Sequence, residues 1–276
     1  MVRPAILSFV AALVSGTLAG CFLILDVSEL TRTPPDAGEV DADGGAEAGA
    51  PGYRDIVIAD APAAYFRLGE DGGPARSEVG DFVGMPVGAP LFGMPGAIVG
   101  DADRAFGPSG RGGLDLGLVF DFVGTSPFSF EQWVSISEID TLYRSVFTKS
   151  IGEGATREAY GAYVVMNDDG PSFVFERFIG GRSRLVTVQA PSLGTYHHVV
   201  TVFDGASLAV WIDGAERGRT ADTRSAVPKA TSLLVGTPVV GDDLQPLLGT
   251  IDEFAVYTYP LSPERVIAHF LAGRGQ

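Results

Sequence analysis

Residues 195–214 read TYHHVVTVFDGASLAVWIDG, and the spacing within them decides the fold. Two apolar runs, His198–Phe203 and Leu208–Ile212, are separated by Asp204-Gly205 and closed by Asp213-Gly214. Val, Ile and aromatic residues bounded by such turn formers are strand chemistry, and Asp-Gly suits a type I′ hairpin, whose two central residues both need positive φ. Successive side chains of a strand point to opposite faces, so His197 and His198 cannot readily close on one ion or one substrate atom. With Asp204 and Asp213 spent on turns, the stretch reads as scaffold.

The same pattern recurs outward in both directions. Ala63–Leu68, Phe128–Ile136, Ser145–Lys149, Ala162–Met166, Phe173–Phe178, Leu185–Val188, Ser232–Val235 and Ile251–Tyr257 are short apolar runs bounded by Gly, Pro, Asp or Asn. Within Phe128–Ile136, Phe128, Phe130, Val134 and Ile136 alternate with Ser129, Glu131 and Ser135, the signature of a half-buried strand. No glycine pattern for dinucleotides or phosphates is present, and helical periodicity is confined to the end of the chain. There, Ser262 is an N-cap, Pro263 suits the first helical position, and Val266, Ile267, Phe270 and Leu271 form one apolar stripe before Gly273. This helix carries His269 and is expected to pack back on the strands. Residues 53–276 are therefore expected to form one all-β domain, a size common for a single sandwich.

The N-terminus has different chemistry. Arg3 precedes the apolar run Ala5–Val14, which is too short to span a bilayer, and this layout fits a secretory signal over residues 1–20. Leu18-Ala19-Gly20-Cys21 resembles the bacterial lipobox, which implies cleavage before Cys21 and lipid attachment to it. Cys21 is the chain's single cysteine, so no internal disulfide is available and an exported thiol needs another use. The alternative is a longer uncleaved anchor, since Phe22–Leu25 extends the apolar stretch. Phe22 directly after the cysteine resembles the outer-membrane class of lipoproteins. Residues 21–52 close the segment as an acidic Asp/Glu/Ala/Gly/Pro tether, too poor in apolar side chains to offset chain entropy by burial.

The chain carries 34 acids against 19 Lys and Arg, for a net charge of −15. Seven acids against Arg32 put −6 on residues 21–52, and with Arg3 counted the domain retains −10. A surface of that sign excludes nucleic acid and anionic lipid as partners, leaving membrane attachment to the lipidated Cys21 alone. Calcium and neutral sugars stay compatible with it.

Five blocks in order carry a family resemblance: AYFRLGE, Pro95–Phe106, PFSFEQWVSI, YHHVVTVFDGASLAVWIDGAERG and GTIDEFAVYTYPLSPERVIAHF. Over residues 56–272 they resemble the laminin G-like domains of the concanavalin A-like lectin/glucanase superfamily. The resemblance implies a jelly roll of two packed antiparallel sheets, but it leaves activity open, since the fold hosts lectins, hydrolases, lyases and spacers. The paired-carboxylate strand motif of the glucanases is missing: Glu138-Ile139-Asp140 runs into Thr141, Leu142 and Tyr143. No Gly-x-Ser-x-Gly elbow, His-Glu-x-x-His motif or catalytic cysteine is present either, and a non-catalytic module is expected.

The resemblance also points to Asp252, in Gly-Thr-Ile-Asp-Glu, as the position for a structural Ca²⁺, with Glu253 facing the other way. The competing reading has Asp252 capping a loop through backbone hydrogen bonds. For ligand recognition, Trp133 shares the parity of Glu131 and is a candidate sugar-stacking platform on the polar face, the alternative being a place in the core. Trp211 has similar parity but matches a scaffold aromatic of the relatives. Arg144, Tyr163, Glu176 and Arg177 would add polar contacts. The expectation is an exported, envelope-anchored module that binds a glycan or polysaccharide. The alternative is an interaction protein whose partner is another envelope or extracellular protein, with no sugar site.

Overall fold

The computed structural model of the chain describes residues 51–238 and 244–276. Cys21, the signal and all of the tether but Pro51 and Gly52 lie outside the described residues. In chain order the elements are α1 (Tyr53–Ala59), β1 (Ala64–Phe66), β2 (Ala75–Arg76), β3 (Val83–Gly88), β4 (Leu91–Pro95), β5 (Arg104–Gly107), β6 (Gly112–Asp115) and β7 (Phe128–Ile136). Then follow β8 (Arg144–Ile151), β9 (Glu158–Asn167), β10 (Gly170–Ile179), β11 (Arg182–Gln189), β12 (Tyr196–Phe203), β13 (Ser207–Ile212) and β14 (Ala215–Ala221). β15 (Leu234–Val235), β16 (Gln245–Pro246), β17 (Gly249–Tyr257) and α2 (Pro263–Gly273) complete the chain.

The strands form two sheets. The first runs β14-β13-β12-β7-β17-β5-β4 with β1 beside β17, and the second runs β11-β10-β9-β8-β15-β6-β3-β2. Neighbours are antiparallel except for the short β16, which lies parallel to β8. The expected two-sheet jelly-roll sandwich is therefore the observed architecture, with its main core between the sheets: Phe128, Phe130 and Val134 of β7 meet Phe147, Tyr160, Phe173 and Phe175 of the second sheet. Asp213 and Gly214 both have positive φ, 54° and 73°, as a type I′ hairpin requires. Asp204-Gly205 does not form such a turn. Only Gly205 is left-handed, and the Asp204 carboxylate instead accepts the N–H groups of Ala206 and Ser207.

The expected half-buried β7 is not half-buried. Its polar face, with Ser129, Glu131 and Trp133, is as inaccessible as its apolar one. A second core covers it, built from Tyr53 and Val57 of α1, Val266 of α2, Val200 and Val202 of β12, Trp133, Trp211 and Tyr257. The helix α1 was not expected from the sequence. In α2, Ser262 caps the N-terminus by accepting the Arg265 N–H, and Pro263 opens the first turn, as expected. The buried face differs from the expected stripe, however. Val266, His269 and Gly273 face the sheet, whereas Ile267 and Leu271 are exposed, because His269 finds charged partners under the helix.

Candidate functional site

The proposed sugar platform at Trp133 is a correction. Its parity is as read, opposite to Phe130 and Val134, but the indole is 0% exposed. Phe270 stacks on it at 6.2 Å and Tyr53 meets it edge-on at 6.1 Å. Gly273 passes so close that a Cβ there would lie 2.3 Å from the indole Cζ2, so the last turn of α2 rests directly on the ring. Arg177 is a second correction. It shares the inward parity of Phe175, its guanidinium lies 3.8 Å over the Phe203 ring, and it pairs with Asp222 at 2.9 Å. Burial lowers its pKa despite that pairing. Arg144 is likewise taken: it forks onto Asp140 and reaches the Pro246 carbonyl, on the face opposite Tyr163.

Tyr163 and Glu176 do come together. Both point outward from the second sheet on adjacent strands, Tyr163 opposite Val174 and Glu176 opposite Gly161. Burial and the Glu176 carboxylate beside it raise the Tyr163 pKa, and Glu176 also accepts the Ser183 hydroxyl at 2.9 Å. A third member is new. Tyr143, 47% exposed in the turn before β8, meets the Tyr163 ring at 5.3 Å and 88°. Both helices pack on the first sheet, so neither crosses this face. An edge-to-face tyrosine pair flanked by an acid and hydroxyls offers an apolar ring surface with polar tips.

Two buried polar clusters do different work. Glu131, at the centre of the second core, accepts hydrogen bonds from the hydroxyls of Tyr53 (2.9 Å) and Tyr257 (2.6 Å), from His198 Nε2 (2.7 Å) and from His269 Nδ1 (3.0 Å). The other ring nitrogen of His269 lies 2.9 Å from Asp60 Oδ2, which Arg265 also pairs at 2.6 Å. With both nitrogens aimed at carboxylates, His269 is an imidazolium. Burial works against its charge, but Glu131 outweighs it and raises the His269 pKa. Burial likewise opposes the Glu131 charge, yet the charges and hydrogen bonds of His269 and His198 hold its pKa well below the carboxylate range. Buried except where Asp60 and Arg265 reach the surface, this network fastens both helices to β7, β12 and β17.

The second cluster surrounds Asp252, which is 1% exposed. One carboxylate oxygen accepts the Ala97 N–H at 2.7 Å and the other the Glu253 N–H at 3.0 Å. A β-bulge follows, with Glu253 at φ 54°, and Glu253 turns to Tyr65 and Arg67. Arg67 also pairs Asp101 (2.6 Å) and Asp103 (3.0 Å). Burial, and then the neighbouring Glu253 charge, raise the Asp252 pKa; burial pushes Glu253 up to about 7. A calcium ion needs six to eight oxygen ligands. Among the described residues no group of three or more acidic, His or Cys side chains is placed to hold a metal. With both Asp252 oxygens on backbone donors and Arg67 supplying the positive charge, these residues do not fit the ion. Melts in calcium and in chelator are expected to coincide; a calcium-dependent rise that Asp252→Ala removes would restore the ion.

A family model described as the concanavalin A-like lectin/glucanases superfamily, of laminin G type, matches residues 109–267. The chain belongs to this superfamily. Among solved structures it is similar to domain 4 of AbnA, a GH43 extracellular arabinanase from Geobacillus stearothermophilus, in complex with arabinotriose. The TM-score is 0.55 at 19% identity, over 75% of this chain and 97% of that one. It is also similar to the binding domain of botulinum neurotoxin DC in complex with SialylT, with TM-score 0.56 at 9% identity, over 79% of this chain. The binding domain of Paraclostridial Mosquitocidal Protein 1 gives 0.53 at 11%, over 76% of this chain. The chain spans about half of each toxin binding domain, 52% in both. No curated protein matches the sequence. At these identities the superfamily member shares a fold with its neighbours.

Proposed function

We propose that the protein is a glycan-binding module whose binding surface is the outer face of the second sheet around Tyr143, Tyr163 and Glu176. The carrying observation is the edge-to-face pair of exposed Tyr143 and half-buried Tyr163 on a sheet face that neither helix crosses. Tyrosine rings stack on the apolar faces of sugars, while Glu176 and the strand hydroxyls take up sugar hydroxyls. Similar folds bound to arabinotriose and to SialylT support the same reading. An anchor at Cys21 would hold this surface at the bacterial envelope on an acidic tether, with a second acyl chain making the attachment stable.

The test is a polysaccharide and glycan array probed with the full-length protein in detergent. Tyr143→Ala and Tyr163→Ala are each expected to weaken binding about tenfold or more, equivalent to about 1.4 kcal/mol. Binding that both variants leave intact would remove this face from the reading. A folded protein that binds nothing on the array would favour a protein partner.

A further inference from the structure

His197, read from the sequence as scaffold, takes part in a relay that alternation along β12 could not reveal. Its Nδ1 lies 2.6 Å from Asp213 Oδ2, and its Nε2 lies 2.8 Å from Ser192 Oγ. Asp213 is itself fixed: its other oxygen accepts the His198 N–H at 3.1 Å, and its own N–H donates to the His198 carbonyl at 2.9 Å. That bond to Asp213 puts the proton on Nδ1 and leaves the Nε2 lone pair facing the serine hydroxyl. Burial works to raise the Asp213 pKa, but His197 outweighs it, so the carboxylate stays ionised.

The relay borders a cleft of about 570 Å³, lined by Gln189, Ser192, His197, Ile212, Asp213 and Arg217 among others. A second hydroxyl, Thr195 Oγ1, approaches Nε2 at 3.1 Å, but Thr195 does not line the cleft. Nucleophile, base and orienting acid are thus within hydrogen-bond reach in sequence at the edge of a cleft.

We infer that Ser192, His197 and Asp213 form a hydrolytic triad that cleaves esters of small acyl groups on hydroxyl-bearing compounds. Ser192 Oγ bonds to the ester carbonyl carbon as its proton passes to His197 Nε2. The tetrahedral oxyanion then collapses, the bond to the alcohol oxygen breaks, and His197 returns the proton to the departing alkoxide. Water attacks the acyl-serine with its proton taken by His197, releasing the carboxylic acid and restoring the Ser192 hydroxyl. Asp213 holds the imidazole tautomer and its positive charge throughout. The cleft mixes apolar side chains (Val188, Ala190, Ile212) with polar ones (Thr187, Gln189, Arg217), which suits the acyl group and the hydroxyls of an acylated sugar or polyol, and it is built from residues other than the tyrosine face.

The full-length protein in detergent is assayed with p-nitrophenyl acetate and labelled with a fluorophosphonate, the labelled residue being located by mass spectrometry. Ser192→Ala and Asp213→Asn are expected to lower kcat/KM by about 100-fold or more, the scale of general acid–base catalysis, while Thr195→Ala keeps most of the rate. Ser192 is exposed, and Asn at 213 retains an acceptor for the His198 N–H, so both variants are expected to melt as the parent does. The label is expected on Ser192. A wild-type rate equal to that of Ser192→Ala, or a label on another residue, overturns the triad. p-Nitrophenyl acetate carries no sugar, so its turnover tests the triad independently of glycan recognition by the tyrosine face.

Discussion

Replacing Glu131 with alanine is expected to lower stability by about 3–5 kcal/mol, the range found when one partner of a buried ion pair is removed. For a domain of this size that is a fall on the order of 10 °C in Tm. The loss comes from what remains. The hydroxyls of Tyr53 and Tyr257, His198 Nε2 and the charged His269 would face a dry space without an acceptor. The pH profile gives a second signature. The folded pKa of Glu131 is depressed below 4.5, so its contribution is present above that value and lost as pH falls through the folded pKa. The folded pKa of His269 is raised above 6.5, so its contribution is complete below 6.5 and lost as pH rises through the folded pKa. The difference in stability between wild type and Glu131→Ala should therefore be largest between about pH 4.5 and 6.5 and shrink on both sides. Thermal melts from pH 3 to 9 measure it. A variant that melts with the wild type across that range would show that the network contributes nothing.

Trp133→Ala is expected to have a comparable effect by another route. A fully buried indole truncated to a methyl group costs about 3–5 kcal/mol, through lost burial and the cavity left beneath α2. Phe270, Tyr53 and Gly273 would border that cavity, and α2 would lose the surface on which its last turn rests. Glycan affinity per folded molecule should be unchanged, because the ring does not reach solvent. Denaturant melts combined with binding at saturating folded protein separate the two quantities. Loss of glycan binding at an undiminished melting temperature would return Trp133 to the surface role its parity first suggested.

Much of the fold was legible because strand chemistry is local. Apolar runs with Asp-Gly punctuation place β12 and β13, and the Ser262-Pro263 start of α2 follows from the orphan N–H groups every helix must satisfy. The candidate site was less legible. Tyr143 sits in a turn with no periodicity to mark it, and only the pairing of β8 with β9 brings it against Tyr163. Glu131 had a signal in retrospect: an acid between two aromatics on a strand, with two distant histidines available to match it. Ser192 had none, since the loop before β12 is what carries its hydroxyl to His197.

The sequence by itself determined the alternation: which residues of β7 and β12 share a face, that the two adjacent histidines part company, and that Asp213-Gly214 turns the chain. Tertiary structure alone decided what each face meets. Side-chain parity follows from the covalent geometry of a strand, and it reads the same whether the opposite side holds water, a sheet or a helix. The cover over Trp133 and Glu131 comes from α1 and α2, at the two ends of the domain, and packing at such separation leaves no local trace in β7. For that reason the parity of Trp133 was correct and its exposure was not.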